Sequence, residues 1–83
     1  MSGWIDELAG AIGQAPLSDD ETARLLRATR DVAHRVERTM APLAAFLLGL
    51  DVAGRMTDGQ ARDAAVEVAV VHLAGLLPPP DGG

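Results

Sequence analysis

The sequence lacks cysteine, lysine, asparagine and tyrosine, and Trp4 and Phe46 are its only aromatic residues. The absence of cysteine excludes disulfide bonds and thiolate metal sites, and it suits a reducing compartment. With so few aromatic side chains, any core must be built from Leu, Val, Ile, Ala and Met. The 83 residues suit one small domain. A domain of this size hides only about 60% of its unfolded surface, so we expect marginal stability in isolation.

Positive charge is also scarce, since the net charge is −5 and all seven cationic side chains are arginines. Nonspecific binding to nucleic acid or to an anionic membrane requires the opposite sign. Asp6 and Glu7 stand where a secretory signal would carry Lys or Arg. The longest apolar run, residues 41–50, is too short to span a bilayer. We therefore predict a cytoplasmic protein that binds neither nucleic acid nor membrane.

Two helices are predicted in the first half of the chain, over residues 3–13 and 19–39. Gly13 is a typical residue just after a helix end. Ser18 and Glu21 have the spacing of a capping box, which marks the start of the second helix. The first helix is short and unstable alone, so its apolar face should dock on the rest of the protein. That face consists of Trp4, Ile5, Leu8 and Ile12.

Pro42 predicts a corner, because proline suits the first residue of a new helix and disrupts a helix interior. We expect a third helix over residues 42–55 and a fourth over residues 59–77, with Thr57 or Asp58 capping the fourth. Residues 66–71 are rich in valine and would suit a strand, but their alanine-rich flanks favour a helix. The predicted fold is an all-α bundle of four helices in one domain, residues 1–77, followed by a disordered Pro/Gly tail, residues 78–83.

The third predicted helix is too apolar to be half solvated. Asp51 and Arg55 should mark its outer side, with Leu47 and Leu48 near them and with Leu43, Phe46, Leu50 and Ala53 opposite. A second apolar surface is therefore predicted as a partner interface, formed by Leu43, Leu47 and Leu48. A repeat of small residues every four positions predicts a close helix crossing, with its tightest backbone contact at Gly49; the repeat is Ala45, Gly49 and Ala53.

A cluster of polar residues is the best candidate for a small-ligand site. It comprises Arg30, His34, Glu37, Arg38 and, from the fourth helix, His72. Arginine side chains match the geometry of phosphate groups. His72 is expected to point inward, either as a hydrogen-bonded core residue or as a pocket residue facing Glu37. No catalytic, metal-binding or cofactor-binding motif accompanies these residues.

Two segments of the sequence resemble a known family. One is the block His34-Arg35-x-Glu37-Arg38-x-x-Ala41-Pro42-Leu43, and the other is the opening Trp4-Ile5-Asp6-Glu7-Leu8. The family they resemble is a small helical domain of unknown function from bacteria with GC-rich genomes. It occurs alone or as a C-terminal extension of molybdenum cofactor guanylyltransferases. The resemblance, from Trp4 to about Leu77, implies a role in molybdopterin-guanine dinucleotide biosynthesis. It implies no catalytic residue, and the nucleotidyltransferase fold is absent.

Two functions remain open at this point. The first is a non-enzymatic accessory module that binds a protein partner or forms a homodimer, because small domains often gain stability by association. The second is a domain that binds a nucleotide or pterin phosphate through the arginines and His34 of the second helix. Neither function requires a bound cofactor or metal.

Overall fold

The computed structural model describes residues 3–80, which form four α-helices and, within that span, no strand. These helices are α1 (Trp4–Ala11), α2 (Asp19–Arg35), α3 (Met40–Thr57) and α4 (Arg62–Ala74). The all-α prediction is confirmed, and residues 66–71 lie inside α4. The last three residues of the predicted tail lie outside the described span.

The start of α2 is the capping box that the sequence predicts. The Ser18 hydroxyl accepts a hydrogen bond from the Glu21 amide at 3.0 Å, and a Glu21 carboxylate oxygen accepts one from the Ser18 amide at 2.9 Å. Two amides at the helix start are thereby satisfied without water. Three acidic residues in the first turn also suit the positive end of the helix dipole.

Glycines with positive φ end both α1 and α3. Gly13 has a φ of 76°, and the Gln14 amide donates to the Ala9 carbonyl at 2.8 Å. Gly59 has a φ of 103°, and the Gln60 amide donates to the carbonyl of Arg55 at 3.0 Å. Both arrangements are Schellman motifs, in which glycine avoids the steric cost of the left-handed conformation. The predicted role of Gly13 is confirmed.

The turn at Gly59 corrects the predicted start of the fourth helix. Thr57 is the last residue of α3, and its hydroxyl donates back to the Ala53 carbonyl at 3.0 Å. It therefore does not cap the following helix, and neither does Asp58, which is the C-cap of α3. The N-cap of α4 is Ala61, which provides no side-chain cap.

The corner between α2 and α3 lies at residues 36–39, before Pro42 rather than at it. Pro42 is the third residue of α3, not the first. It is tolerated there because the amides of the first helical turn have no partner within the helix. Val36, at the corner, is exposed, as is Phe46 on α3. The corner between the two helices therefore leaves both side chains unsheltered.

The core lies between α2, α3 and α4 and is small. Its largest members are Val32, Leu48, Val52 and Val66, supplemented by Ala28, Ala65 and Ala69. On α3 the inward face is therefore that of Leu48 and Val52, which corrects the predicted outer position of Leu48. The predicted inward positions of Leu43, Phe46 and Leu50 are also wrong, since all three side chains are exposed.

The misassignment arose from the ion pair used to mark the wet side of α3. Arg55 Nε lies 3.1 Å from Asp51 Oδ1, and both side chains are about one-third exposed or less. Because the two charges neutralise each other, the pair lies along the border of the helix interface. The fully exposed side of α3 is instead the apolar one.

Helix α1 contributes no buried residue. Trp4 is 71% exposed, whereas Ile5 and Leu8 are about 40% exposed. The prediction that Trp4 would be docked against the bundle is wrong. The apolar face of α1 instead borders an open groove.

Gly49 makes no close contact, contrary to the predicted tight crossing. A Cβ atom placed there would meet no atom within 4 Å. We therefore expect Gly49→Ala to raise the free energy of unfolding by about 1 kcal/mol, because alanine has the higher helix propensity. Urea unfolding would measure the change. Gly13→Ala is the control and should be destabilising, because its φ of 76° disfavours any side chain. A destabilised Gly49→Ala variant would contradict the open environment.

Candidate interaction surfaces of α1 and α3

An apolar groove of about 450 Å³ separates α1 from the bundle. One wall is formed by Ile5, Leu8 and Ile12 of α1. The floor on α3 is formed by the small-residue repeat Ala45, Gly49 and Ala53. The small residues thus do not bring two helices of this chain together. They widen a groove whose lining is mostly hydrophobic; it also includes Leu17, Leu25, Val52, Met56 and Val66.

Arg62 holds the chain at the end of this groove. Its guanidinium donates to the carbonyl oxygens of Ala15 at 2.8 Å and Pro16 at 2.7 Å. It also binds both carboxylate oxygens of Glu21, each at 2.9 Å. The connection from α1 to α2 is therefore fixed to the start of α4, although α1 itself is not packed on the core.

The Glu21–Arg62 pair is the least exposed ion pair among the described residues, with the Arg62 side chain 20% exposed. Glu21 is only 3% exposed, and its Oε1 atom also accepts the capping-box hydrogen bond from the Ser18 amide. The hydrogen bond from Arg62 lowers the pKa of Glu21 below its ordinary value of 4.5, although burial opposes this shift. Glu21 in turn raises the pKa of Arg62. Both groups are therefore charged at neutral pH.

The second surface, here called the outer face of α3, consists of Leu43, Phe46, Leu47 and Leu50. Phe46 is 67% exposed and Leu47 is 63% exposed. No charged residue occurs between Met40 and Leu50. A contiguous group of large exposed apolar side chains often marks an interaction site. The exposure of Leu43 and Leu47 is compatible with their predicted interface role, which stays a prediction.

By length and composition α3 would also suit a membrane span, with 18 residues and a mean hydropathy of 1.2. The uncharged run itself ends at Leu50, and the 18-residue helix meets these criteria although it also contains Asp51 and Arg55. Core helices of soluble proteins meet the same criteria; α3 supplies Leu48 and Val52 to the core, although most of its surface is exposed. The composition alone carries no argument for a membrane.

The predicted ligand-binding residues do not form a common cavity with one another. Arg30, His34, Glu37 and Arg38 are all exposed, and none lines any of the three main grooves. The Glu37 carboxylate accepts a hydrogen bond from the Thr39 hydroxyl. Their role in ligand binding stays a prediction.

His72 is exposed, which corrects its predicted inward position. It borders a shallow groove of about 230 Å³ between α3 and α4, beside Leu47 and Leu76. The inward side of α4 is taken by Ala65, Val66 and Ala69. No group of three histidine or acidic residues in the described part of the chain is arranged to hold a metal ion.

The arginines of α2 bind different partners from those that their spacing suggests. Arg24 Nε lies 2.8 Å from Asp20 Oδ2, and Arg35 Nε donates to the Pro78 carbonyl at 3.0 Å. Asp31 is one helical turn from both Arg27 and Arg35, a spacing that suits ion pairs, but neither pair forms among residues 3–80. Arg27 and Asp31 instead border a groove of about 330 Å³ against α4.

Comparison with models of known protein families gives a match. The model of a family described as a domain of unknown function (DUF6457) matches residues 1–79. No curated protein and no solved structure matches the chain.

Proposed function

The chain belongs to this DUF6457 family of unknown function, and from that premise we propose that it is a non-enzymatic accessory module that binds another protein. The observation that carries the proposal is the open apolar groove between α1 and the bundle. Its partner would be an amphipathic helix, inserted with its apolar side facing α3.

The lining of the groove supports a helical partner. Leu8 and Ile12 supply apolar contacts from one side, and Met56 supplies them from the other. The floor at Gly49 has no side chain, so a partner helix could approach the backbone of α3 closely. Helix-in-groove recognition of this kind relies on apolar anchors one helical turn apart.

The negative charge beside the groove indicates which charge the polar face of the partner helix should carry. Helix α1 carries Asp6 and Glu7 and no cationic residue, and the whole chain has a net charge of −5. A partner helix with Lys or Arg beside its apolar face would therefore associate faster than a neutral or acidic one.

The resemblance described above supports molybdenum cofactor maturation as the context of this module. The corresponding partner class is a molybdenum cofactor guanylyltransferase. The family that the two sequence segments resemble occurs as an extension of such enzymes, which supports a contact between the two domains that a stand-alone copy would make between separate chains.

The proposal is tested by titrating the protein into a purified bacterial molybdenum cofactor guanylyltransferase in a calorimeter. We expect binding with a Kd in the micromolar range and at least a tenfold loss of affinity for Gly49→Leu, whose new side chain would fill the groove floor. Gly10→Leu is the matched control, because it also adds a side chain in open space but does not line the groove.

Three outcomes count against parts of the proposal. Absence of heat and of co-elution at 100 µM, on the order of the weakest specific contacts, would reject the molybdenum cofactor context. Equal binding by the Gly49→Leu variant would reject the groove as the site. A change in catalytic rate of the enzyme without binding to this groove would reject the helix-in-groove mode.

A further inference from the structure

The outer face of α3 has a spacing suited to a second helix. Three of its residues, Leu43, Phe46 and Leu50, and the adjoining Ala53 follow one another at intervals of three, four and three residues, as do the a and d positions of a coiled coil. All four are exposed. They lie opposite Leu48 and Val52, so a partner helix there would sandwich α3 between itself and the core. This face adjoins the groove, because Ala53 also belongs to the groove floor; Leu43, Phe46 and Leu50 do not line the groove.

We propose that the occupant of this face is α3 of a second copy of this chain, packed antiparallel across a two-fold axis. The core of one copy is too small to bury most of the apolar surface of α3. Its seven buried hydrophobic residues are three valines, one leucine and three alanines. Small domains commonly make up this deficit by association. The inference does not depend on the proposed function, which uses the neighbouring side of α3; Ala53 lies on the border between the two.

Charge favours a second copy on this face in spite of the acidity of the chain. From Met40 to Leu50 there is no ionisable side chain, so two copies can meet here without like charges facing each other. The nearest charges on α3, Asp51 and Arg55, are already paired within the helix. An antiparallel arrangement also sets the positive end of each helix dipole beside the negative end of the other.

The spacing specifies a register. With the two-fold axis passing level with Leu48, Phe46 of one copy packs beside the partner's Leu50, and Leu43 packs over the partner's Ala53. This register puts a large residue against a small one at each end and two large residues on each side of the axis. Leu47 borders the seam in both copies.

The test uses disulfide formation, for which the cysteine-free sequence provides a clean background. Two cysteines join only when their Cα atoms are within about 7 Å. Positions 43 and 53 are about 15 Å apart within one helix at a rise of about 1.5 Å per residue. In the proposed register, position 43 of each copy lies beside position 53 of the partner. The two copies of position 43 are far apart, at about the same separation as positions 43 and 53 within one helix.

We therefore expect the double variant Leu43→Cys, Ala53→Cys to give a covalent dimer upon mild oxidation, while neither single variant does so. Denaturing gel electrophoresis without reductant measures this result. Efficient cross-linking by the single variants would indicate a parallel pair and overturn the register. No cross-linking by any of the variants would overturn the contact and leave the face to a different protein.

A second measurement avoids cysteine altogether. Sedimentation equilibrium of the unmodified chain should show a monomer–dimer equilibrium, and Phe46→Glu should raise the Kd at least about 30-fold, as for an anchor residue at an interface centre. Leu26→Glu is the matched control, because Leu26 on α2 is 65% exposed, close to the 67% of Phe46. A monomer at all concentrations, or equal effects of the two substitutions, would overturn the proposal.

Discussion

Replacing Arg62 with alanine is expected to lower the free energy of unfolding by about 3 kcal/mol at neutral pH, near the low end of the range for breaking a buried ion pair. The substitution leaves the carboxylate of Glu21 nearly buried and without its cation. It also removes the donors to the carbonyls of Ala15 and Pro16. Urea unfolding monitored by circular dichroism measures the loss. Arg24→Ala is the control, because the Arg24–Asp20 pair is largely exposed and should matter little.

The pH dependence separates the charge effect from the loss of contacts. Because the folded-state pKa of Glu21 is depressed below 4.5, its stabilising contribution is complete above that pH and is lost as the pH falls through the folded pKa. The difference in stability between the unmodified protein and Arg62→Ala should therefore shrink in acid. A difference that stays constant from pH 7 to about pH 2 would show that the backbone contacts, not the charge pair, are responsible.

Leu48→Ala should have a similarly large effect, lowering the free energy of unfolding by about 3 kcal/mol. Leu48 is 5% exposed and is the one leucine among the buried core residues. Its truncation removes buried apolar surface and leaves a cavity beside Val52 and Ala69 that alanine-rich helices fill poorly. Chemical unfolding at low protein concentration measures the change.

Leu47→Ala is the control, because the neighbouring leucine is 63% exposed. The same chemical change should cost less than about 0.5 kcal/mol there, as for most surface substitutions. Equal effects of the two substitutions would contradict the assignment of the inner face of α3. The comparison is sensitive because a one-residue shift rotates a helix by about 100°.

Local signals in the sequence predicted the number of helices and several of their ends. The capping box at Ser18 and the glycine at position 13 act through hydrogen bonds within a few residues, so the sequence contains all the required information. Pro42 also predicted a corner, but the corner lies at residues 36–39 and Pro42 itself is inside α3. These signals predicted an element and its boundary, but not the direction in which its side chains face.

The faces of α3 could not be read from the sequence, because nearly every side of this helix is apolar. Hydrophobic periodicity distinguishes inside from outside only when one side is polar. The Asp51–Arg55 pair was taken as the polar side, although its mutual neutralisation lets it lie at the edge of the core. Leu48 and Phe46 were consequently assigned to the wrong sides.

The Glu21–Arg62 pair was missed for a related reason. Glu21 was correctly identified as a capping residue, but its carboxylate also binds Arg62, 41 residues away. A possible signal was the single arginine at the start of α4, where an acidic residue would suit the helix dipole better. A cation in that position is unfavourable locally, and its compensation comes from tertiary structure. The ligand-site hypothesis had no such geometric confirmation, because Arg30, His34, Glu37 and Arg38 line none of the three main grooves and His72 borders one without them.

The anchoring of Ala15 and Pro16 by Arg62 sets a boundary for local unfolding. Helix α1 has no buried side chain, so little free energy opposes its detachment. Detachment should stop where the guanidinium holds the backbone, leaving the three longer helices intact. Amide hydrogens before residue 15 should therefore exchange with solvent in a fast, common event, and a protease would remove this segment while sparing the remainder.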